Sequence, residues 1–322
     1  MNLLGIDIGG TKTSVCVGTD DGKILAAARI ASGGYATVQH YEDRLAELCA
    51  AVIQKAGVPK ASLVAAGISA PGPLSVARGV LIAPPNNPAW RDLPIVEMVQ
   101  RRLGVPAHLN NDGNAAALAE FEFGRYRGTR DLVYLTFSTG MGGGIIAEGR
   151  LVQGVNDNGG EVGHQVLDPT GPVCGCGQRG CWEAYVGGRR VAERLREKIK
   201  TGRLATTMIE KAGSVEAITM KHLLAAATEG DPVAVAEWDA VMERLAQGIG
   251  GLIMVLNPRV ILLGTIAIHA GEFALQPLRE KLPKYCWPWP RQVCTVTTST
   301  LGEGIGDYAA LAVAVYALQQ KA

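Results

Sequence analysis

The sequence predicts an α/β protein with duplicated mixed sheets. Three features predict it. Short apolar strand-like runs alternate with longer amphipathic helical ones, the pattern of sheets covered by helices. A unit of strand, glycine turn, strand, turn, strand occurs twice in the first 160 residues. The 41 glycines gather at the turns between apolar runs. With 322 residues, 48% of them hydrophobic and 19% charged, the chain suits two lobes with substantial cores.

The first copy of the unit opens with Leu3–Ile8, which alternates and ends in Gly9-Gly10. Thr13–Val17 resumes the strand pattern, Asp21-Gly22 is a hairpin signal, and Lys23–Ile30 returns. Tyr41–Ala56 places Leu45, Leu48, Cys49, Val52 and Ile53 on one helical face. Ala107–Leu109 is strand-like and precedes an alanine-rich helix, Asn114–Phe123. The second copy runs Leu132–Phe137, a glycine turn Gly140–Gly144, Ile145–Ala147, a turn at Glu148-Gly149, and Arg150–Gln153. Glu183–Ile199 reads as one amphipathic helix. Asp231–Leu256 is a long helix stopped by Asn257-Pro258. Val260–Leu263 is a short buried strand ending in Gly264, Cys286-Trp-Pro-Trp-Pro290 a stiff surface loop, and Ile305–Leu318 a closing helix. No flexible linker separates the parts. The expected division is an N-terminal lobe, 1–118, with helix 305–322 packing back on it, and a larger lobe, 119–304.

Thirty-one basic and 30 acidic residues give a net charge of +1, which argues against nucleic-acid and membrane-surface partners. No apolar run reaches the ~18–20 residues of a membrane span. The segment MNLLGIDIGGTK does not read as a signal peptide. Of seven cysteines, Cys174, Cys176 and Cys181 fall within eight residues. An odd total with one tight cluster points to a reducing, cytoplasmic setting and a metal site rather than a disulfide framework.

Four segments carry chemistry. In Asp7-Ile-Gly-Gly-Thr-Lys12, Gly9 and Gly10 let backbone amides approach phosphate oxygens, Thr11 adds a hydroxyl and Lys12 a charge. Asp7, at a strand end, suits a hydrated magnesium ion. The same residues also fit an ordinary hairpin turn. In Ser138-Thr-Gly-Met-Gly-Gly-Gly144, Thr139, Gly140 and Gly142 belong to a second glycine-rich loop. It fits neither the Walker pattern nor the dinucleotide fingerprint. Two such loops facing each other would grip a nucleoside triphosphate. In Asn110-Asn-Asp-Gly-Asn114, Asp112 fits two roles: a base for an attacking hydroxyl, or a cap on the following helix. His164 with Cys174, Cys176 and Cys181 completes a tetrahedral zinc shell without a vacant position, hence a structural site. If one imidazole nitrogen binds zinc, the other is fixed as a donor for a sugar hydroxyl. Glu161 and Glu183 flank this knot, either as hydroxyl acceptors or as supporting charge. Loops at Ala70-Pro-Gly-Pro73 and Asn86-Asn-Pro-Ala-Trp90 fit a polar pocket or plain turns.

Together these residues resemble the ROK family of sugar kinases and sugar-responsive repressors, within the actin-like and hexokinase-like ATPases. The resemblance runs from Gly5 to about Gly306. Its most specific part is Gly160-Glu-Val-Gly-His164 followed by Cys174-Gly-Cys-Gly-Gln-Arg-Gly-Cys-Trp-Glu183. It implies a two-lobed ATPase fold with a zinc-binding loop, closing over ATP, magnesium and a sugar. It implies ATP contacts at Asp7, Gly9, Gly10, Thr11, Lys12, Thr139, Gly140, Gly142 and Gly264. Asp112 becomes the catalytic base, with Asn111 beside it on the sugar. Glu161, His164 and Glu183 become sugar ligands, and Gly72 and Asn86 line the same pocket. The implied reaction is phosphorylation of a hexose on its 6-hydroxyl, glucose first. N-acetylglucosamine kinase, N-acetylmannosamine kinase, fructokinase and a non-catalytic sugar-responsive regulator are the alternatives. A homodimer is the family expectation. Family repressors carry a helix-turn-helix ahead of the first phosphate loop, which here begins at Asp7, so the kinase branch is favoured. One departure stands out. The family's Gly-Gly-Gly-type run near the adenosine reads Gly264-Thr-Ile-Ala267 here, so Thr265 and Ile266 are expected to narrow that site.

Overall fold

The structure is a computed structural model describing residues 1–83, 90–202 and 204–320. In chain order the elements begin with strands β1 (Asn2–Ile8), β2 (Lys12–Thr19) and β3 (Ile24–Ala31), then helix α1 (Val38–Ala56). Next come β4 (Leu63–Ala70), β5 (Leu74–Ser75), β6 (Val80–Leu81), α2 (Ile95–Leu103), β7 (Ala107–Asn111) and α3 (Asp112–Phe123). Strands β8 (Leu132–Phe137), β9 (Met141–Ala147) and β10 (Arg150–Leu151) precede helices α4 (Trp182–Val186), α5 (Gly188–Gly202), α6 (Thr207–Ala212), α7 (Met220–Thr228) and α8 (Pro232–Leu256). The chain closes with β11 (Val260–Leu263), α9 (Ile266–Ala270), α10 (Glu272–Lys281), α11 (Pro288–Val293), β12 (Thr295–Thr298) and α12 (Ile305–Gln319).

The duplication read from the glycine turns is real at the level of topology. One five-stranded sheet has the order β3-β2-β1-β4-β7, the other β10-β9-β8-β11-β12. In the first, β1, β2 and β3 pair antiparallel, while β1–β4 and β4–β7 are parallel. In the second, β9–β10 is antiparallel, and β11 lies parallel to both β8 and β12. Tight turns suffice for the antiparallel steps, whereas each parallel step needs a crossover, which the helices supply.

The chain divides into two compact units, 1–129 with 144–160 and 300–322, and 130–143 with 161–299. In the first, α1 starts where the Thr37 side chain accepts from the His40 amide and stops at Gly57, φ 69°. Its buried face (Tyr41, Leu45, Cys49, Val52) joins Ile6, Val15 and Ile68 in the main core. The opposite face of the sheet carries α12, whose Leu311, Ala314 and Val315 pack on Leu3, Cys16 and Ala65. That close approach requires glycine. A Cβ at Gly67 would lie 1.9 Å from the Ala310 carbonyl oxygen, a backbone atom that cannot swing aside. Gly67→Ala is therefore expected to force α12 off the sheet and cost about 3 kcal/mol, seen as a lowered melting temperature.

In the second unit, α8 begins with Pro232 in its first turn, capped by Asp231 accepting from the Ala234 amide (2.9 Å). It ends at Asn257 in the left-handed region (φ 45°). Three expectations are corrected here. The single helix Glu183–Ile199 is two, α4 and α5, parted at Gly187. The Gly187 amide bonds to the Glu183 carbonyl (2.8 Å) and closes α4, so the next two amides are free to turn elsewhere. The loop Cys286–Pro290 enters α11 at Pro288, where proline's fixed φ suits a first helical residue. In the first unit, the return strand Arg150–Gln153 ends at Leu151. Among the described residues no helix is long and apolar enough to cross a membrane.

Candidate functional site

In the first unit, the turn after β1 is closed by the Gly9 amide donating to the Lys12 carbonyl (2.9 Å), which leaves Thr11 and Lys12 exposed at its tip. Lys12 makes no ion pair among the described residues. Asp7 accepts from the Ser69 hydroxyl (2.8 Å). Burial holds its carboxyl above the usual range, Ser69 opposes that, and the Asp307 carboxylate adds to it. An oxygen-rich strand end beside a turn of this kind fits a hydrated magnesium ion.

β7 delivers Asn110, Asn111 and Asp112 to the start of α3. The N-cap is Asn111, extended at φ −63°, ψ 147°, with its side-chain oxygen accepting from the Gly113 amide (2.9 Å). Asn110 braces the turn by accepting from the Asn111 amide (2.9 Å) and the Asn114 side chain (3.1 Å). Asp112 is the first helical residue. One of its oxygens shares the Gly113 amide (2.8 Å), and the side chain is exposed. Capping therefore falls chiefly to Asn111, and the Asp112 carboxylate sits where the helix dipole favours an anion. Gly72 follows β4 in a half-buried turn. Nearby, Asp157 (φ 65°) accepts from the Val76 amide (2.8 Å) and fastens loop 154–160. Asn86 lies outside the described residues.

In the second unit, the glycine loop and the His–Cys knot are joined through Glu183. The Met141 amide donates to Glu183 Oε2 (3.0 Å), and a Cβ at Gly140 would lie 2.6 Å from that oxygen. The Gly142 amide bonds to the Thr136 hydroxyl (3.0 Å). At the break between α4 and α5, the Gly188 and Arg189 amides bond to the carbonyls of Ser138 (2.8 Å) and Thr139 (3.0 Å). These two residues were missed from sequence, although the doubled glycine at 187 and 188 was a signal for them. Beside the loop opens a cavity of about 590 Å³, lined in part by Thr139, Arg189, Arg196, Lys221, Thr265 and Ile266. Gly264 is buried behind it, where a Cβ would lie 2.0 Å from the Tyr134 hydroxyl.

His164, Cys174, Cys176 and Cys181 come together with their donor atoms all within 4.8 Å of one another. Cys174 Sγ lies 3.7 Å from His164 Nδ1, and Cys176 Sγ lies 3.7 Å from Cys181 Sγ. A tetrahedral zinc with Zn–S near 2.3 Å separates its ligands by about 3.8 Å, so the donor set fits that ion. Burial pushes the Cys181 thiol up to about 12 and raises Cys174, while the Gln178 amide draws Cys176 down. A bound dication would hold all three as thiolates. The knot is shaped by Gly177 and Gly180, both at positive φ, and by the Cys174 amide on the Gln178 carbonyl (2.7 Å). Because Nδ1 faces the sulfurs, Nε2 of His164 is the nitrogen left for another partner. Glu183 Oε1 lies 3.8 Å from Cys174 Sγ, and Glu161 is exposed just before the turn Val162–His164.

Residues 3–316 match the ROK family. The chain is 35% identical over 307 residues to a glucokinase of Thermotoga maritima, covering 95% of each. Among solved structures it is similar to a ROK hexokinase from Thermus thermophilus, with a TM-score of 0.84, 30% identity and 99% and 100% of the two chains covered. It is also similar to a ROK family glucokinase from Streptomyces griseus in complex with glucose and AMPPNP, with a TM-score of 0.81, 31% identity and 98% and 99% covered. Full-length likeness, two sheets of the same order and the His–Cys knot agree, and the chain belongs to the ROK family.

Proposed function

We propose that this protein is a cytoplasmic, ATP-dependent hexose kinase that phosphorylates the 6-hydroxyl, with glucose as its preferred substrate. The observation that carries the proposal is the likeness to a glucokinase over 95% of both chains. Asp112 accepts the proton of the attacking hydroxyl; Asn111, Gly72 and Asn86 are assigned to the sugar, as are Glu161, His164 through Nε2, and Glu183. The phosphates rest on Gly9, Gly10, Thr11 and Lys12, and on Thr139, Gly140 and Gly142, with Gly264 shaping the nucleoside end. Asp7 would hold magnesium, which when bound offsets charge on the phosphates. His164, Cys174, Cys176 and Cys181 would hold a structural zinc. Support for these roles comes from Asp112's exposure at the head of α3 and from Glu183's direct tie to the glycine loop.

Measuring ADP release with ATP and a panel of hexoses tests the substrate. The highest kcat/KM is expected for glucose. A higher value for N-acetylmannosamine, N-acetylglucosamine or fructose would reassign the substrate. ADP release with none of them would make the protein a sugar-responsive regulator.

A further inference from the structure

Thr265 stands in a backbone conformation that glycine adopts readily and a β-branched residue resists, at φ 50° and ψ −99°. Among the described residues the other non-glycine positions with positive φ are Asp92, Glu148, Asp157 and Asn257, so Thr265 is the β-branched one. The conformation itself has a clear cause. β11 ends at Leu263, the Gly264 amide bonds to the Leu135 carbonyl (2.9 Å), and the chain must turn at once into α9. There the Thr265 carbonyl accepts from the amides of Ile268 (3.1 Å) and His269 (3.4 Å). All of these are backbone contacts, and glycine would make each of them without strain.

The side chain gives the turn nothing in return. Thr265 occupies the N-cap position of α9, yet its hydroxyl makes no capping bond, nor any other hydrogen bond among the described residues. It is exposed, and it lines the cavity of about 590 Å³ that begins at Ser138 and Thr139. A strained residue whose polar atom the protein leaves unused, and which lines a cavity, is a candidate for contact with a ligand.

We propose that Thr265 is a specificity-determining residue for the nucleoside of the phosphoryl donor. Its hydroxyl bonds to the nucleoside's polar edge, and its methyl sets the depth of the wall. The cavity adjoins the loop assigned to the phosphates, so a nucleoside triphosphate seated there places its nucleoside in this space. Lys221, on the same lining, has no ion-pair partner among the described residues. It leaves a cation available to the same ligand. This inference rests on the kinase proposal for the identity of the ligand.

The test compares wild type with Thr265→Gly, Thr265→Ser and Thr265→Val. It uses turnover with ATP and GTP, calorimetric titration with ADP and GDP, and thermal melting. Thr265→Gly is expected to melt a few degrees higher, because strain is relieved. It should weaken ADP binding on the order of tenfold and flatten the preference between the two bases. The KM for the sugar should not change. Thr265→Ser restores the hydroxyl, and Thr265→Val restores the shape. At least one of them should recover discrimination. A glycine variant that is more stable yet binds ADP and GDP as wild type does would overturn the inference. Lack of turnover by the wild type would instead defeat the kinase proposal, and the titrations would still judge Thr265.

Discussion

Asp112→Asn is expected to keep the fold and the sugar affinity while lowering kcat by roughly two to four orders of magnitude. The substitution preserves shape. Its side-chain oxygen can still share the Gly113 amide, and the helix keeps its cap because Asn111 supplies it. What disappears is a group able to take a proton from the attacking hydroxyl. A loss of the favourable interaction with the helix dipole, about 0.3–1 kcal/mol, is the structural cost. That is far too little to unfold the unit. The separation of kcat from sugar affinity is the decisive readout, obtained from ADP release together with calorimetric glucose titration. A variant that turns over at near wild-type rate would remove Asp112 from the base role.

Cys176→Ser should be the second large effect. It is expected to abolish stoichiometric zinc and to weaken sugar binding on the order of tenfold or more, because the imidazole that the ion would orient is then free to turn. Cys176 is the informative choice because it is exposed, whereas Cys174 and Cys181 are buried. Replacing it opens no core cavity, so the loss reports the metal rather than packing. Without an ion, His164 would lose the partner that fixes its tautomer, and Cys174, 3.8 Å from Glu183, would lose its anchor. Elemental analysis of purified protein, paired with glucose titration, checks the prediction. Chelator treatment of wild type should reproduce it. Metal-free protein that binds glucose normally would detach the knot from the sugar.

Much of this was legible in the sequence because it depends on local patterns. The apolar run Leu3–Ile8 lies within β1, although burial is continuous from Leu3 to Ile6 rather than alternating, and β11 at Val260–Leu263 matches its apolar run residue for residue. Cysteine spacing located a cluster of four side chains, one imidazole and three thiols, whose donor atoms lie close enough together to hold a metal. What escaped notice depends on contacts distant in sequence. The amphipathic pattern read through Glu183–Ile199 runs straight across Gly187, because each helix buries apolar residues, Ala184 and Val186 in α4 and Val191, Ala192, Leu195 and Ile199 in α5. Only the partner carbonyls at Ser138 and Thr139 reveal why the chain must break there. The choice between Asn111 and Asp112 as cap was equally hidden, because both side chains suit the position. The cap was decided by the extended backbone of Asn111. Thr265 was noticed as an expected narrowing of the nucleotide site, but its backbone strain could not be read from residue identity.

The contact between Gly140 and Glu183 has an evolutionary corollary. With the carboxylate oxygen 2.6 Å from where a side chain at 140 would begin, a larger residue there would push the Glu183 carboxylate off the Met141 amide. Relatives that abandon glycine at 140 should be found to carry a shorter residue at 183. The two columns would then covary although 43 positions separate them.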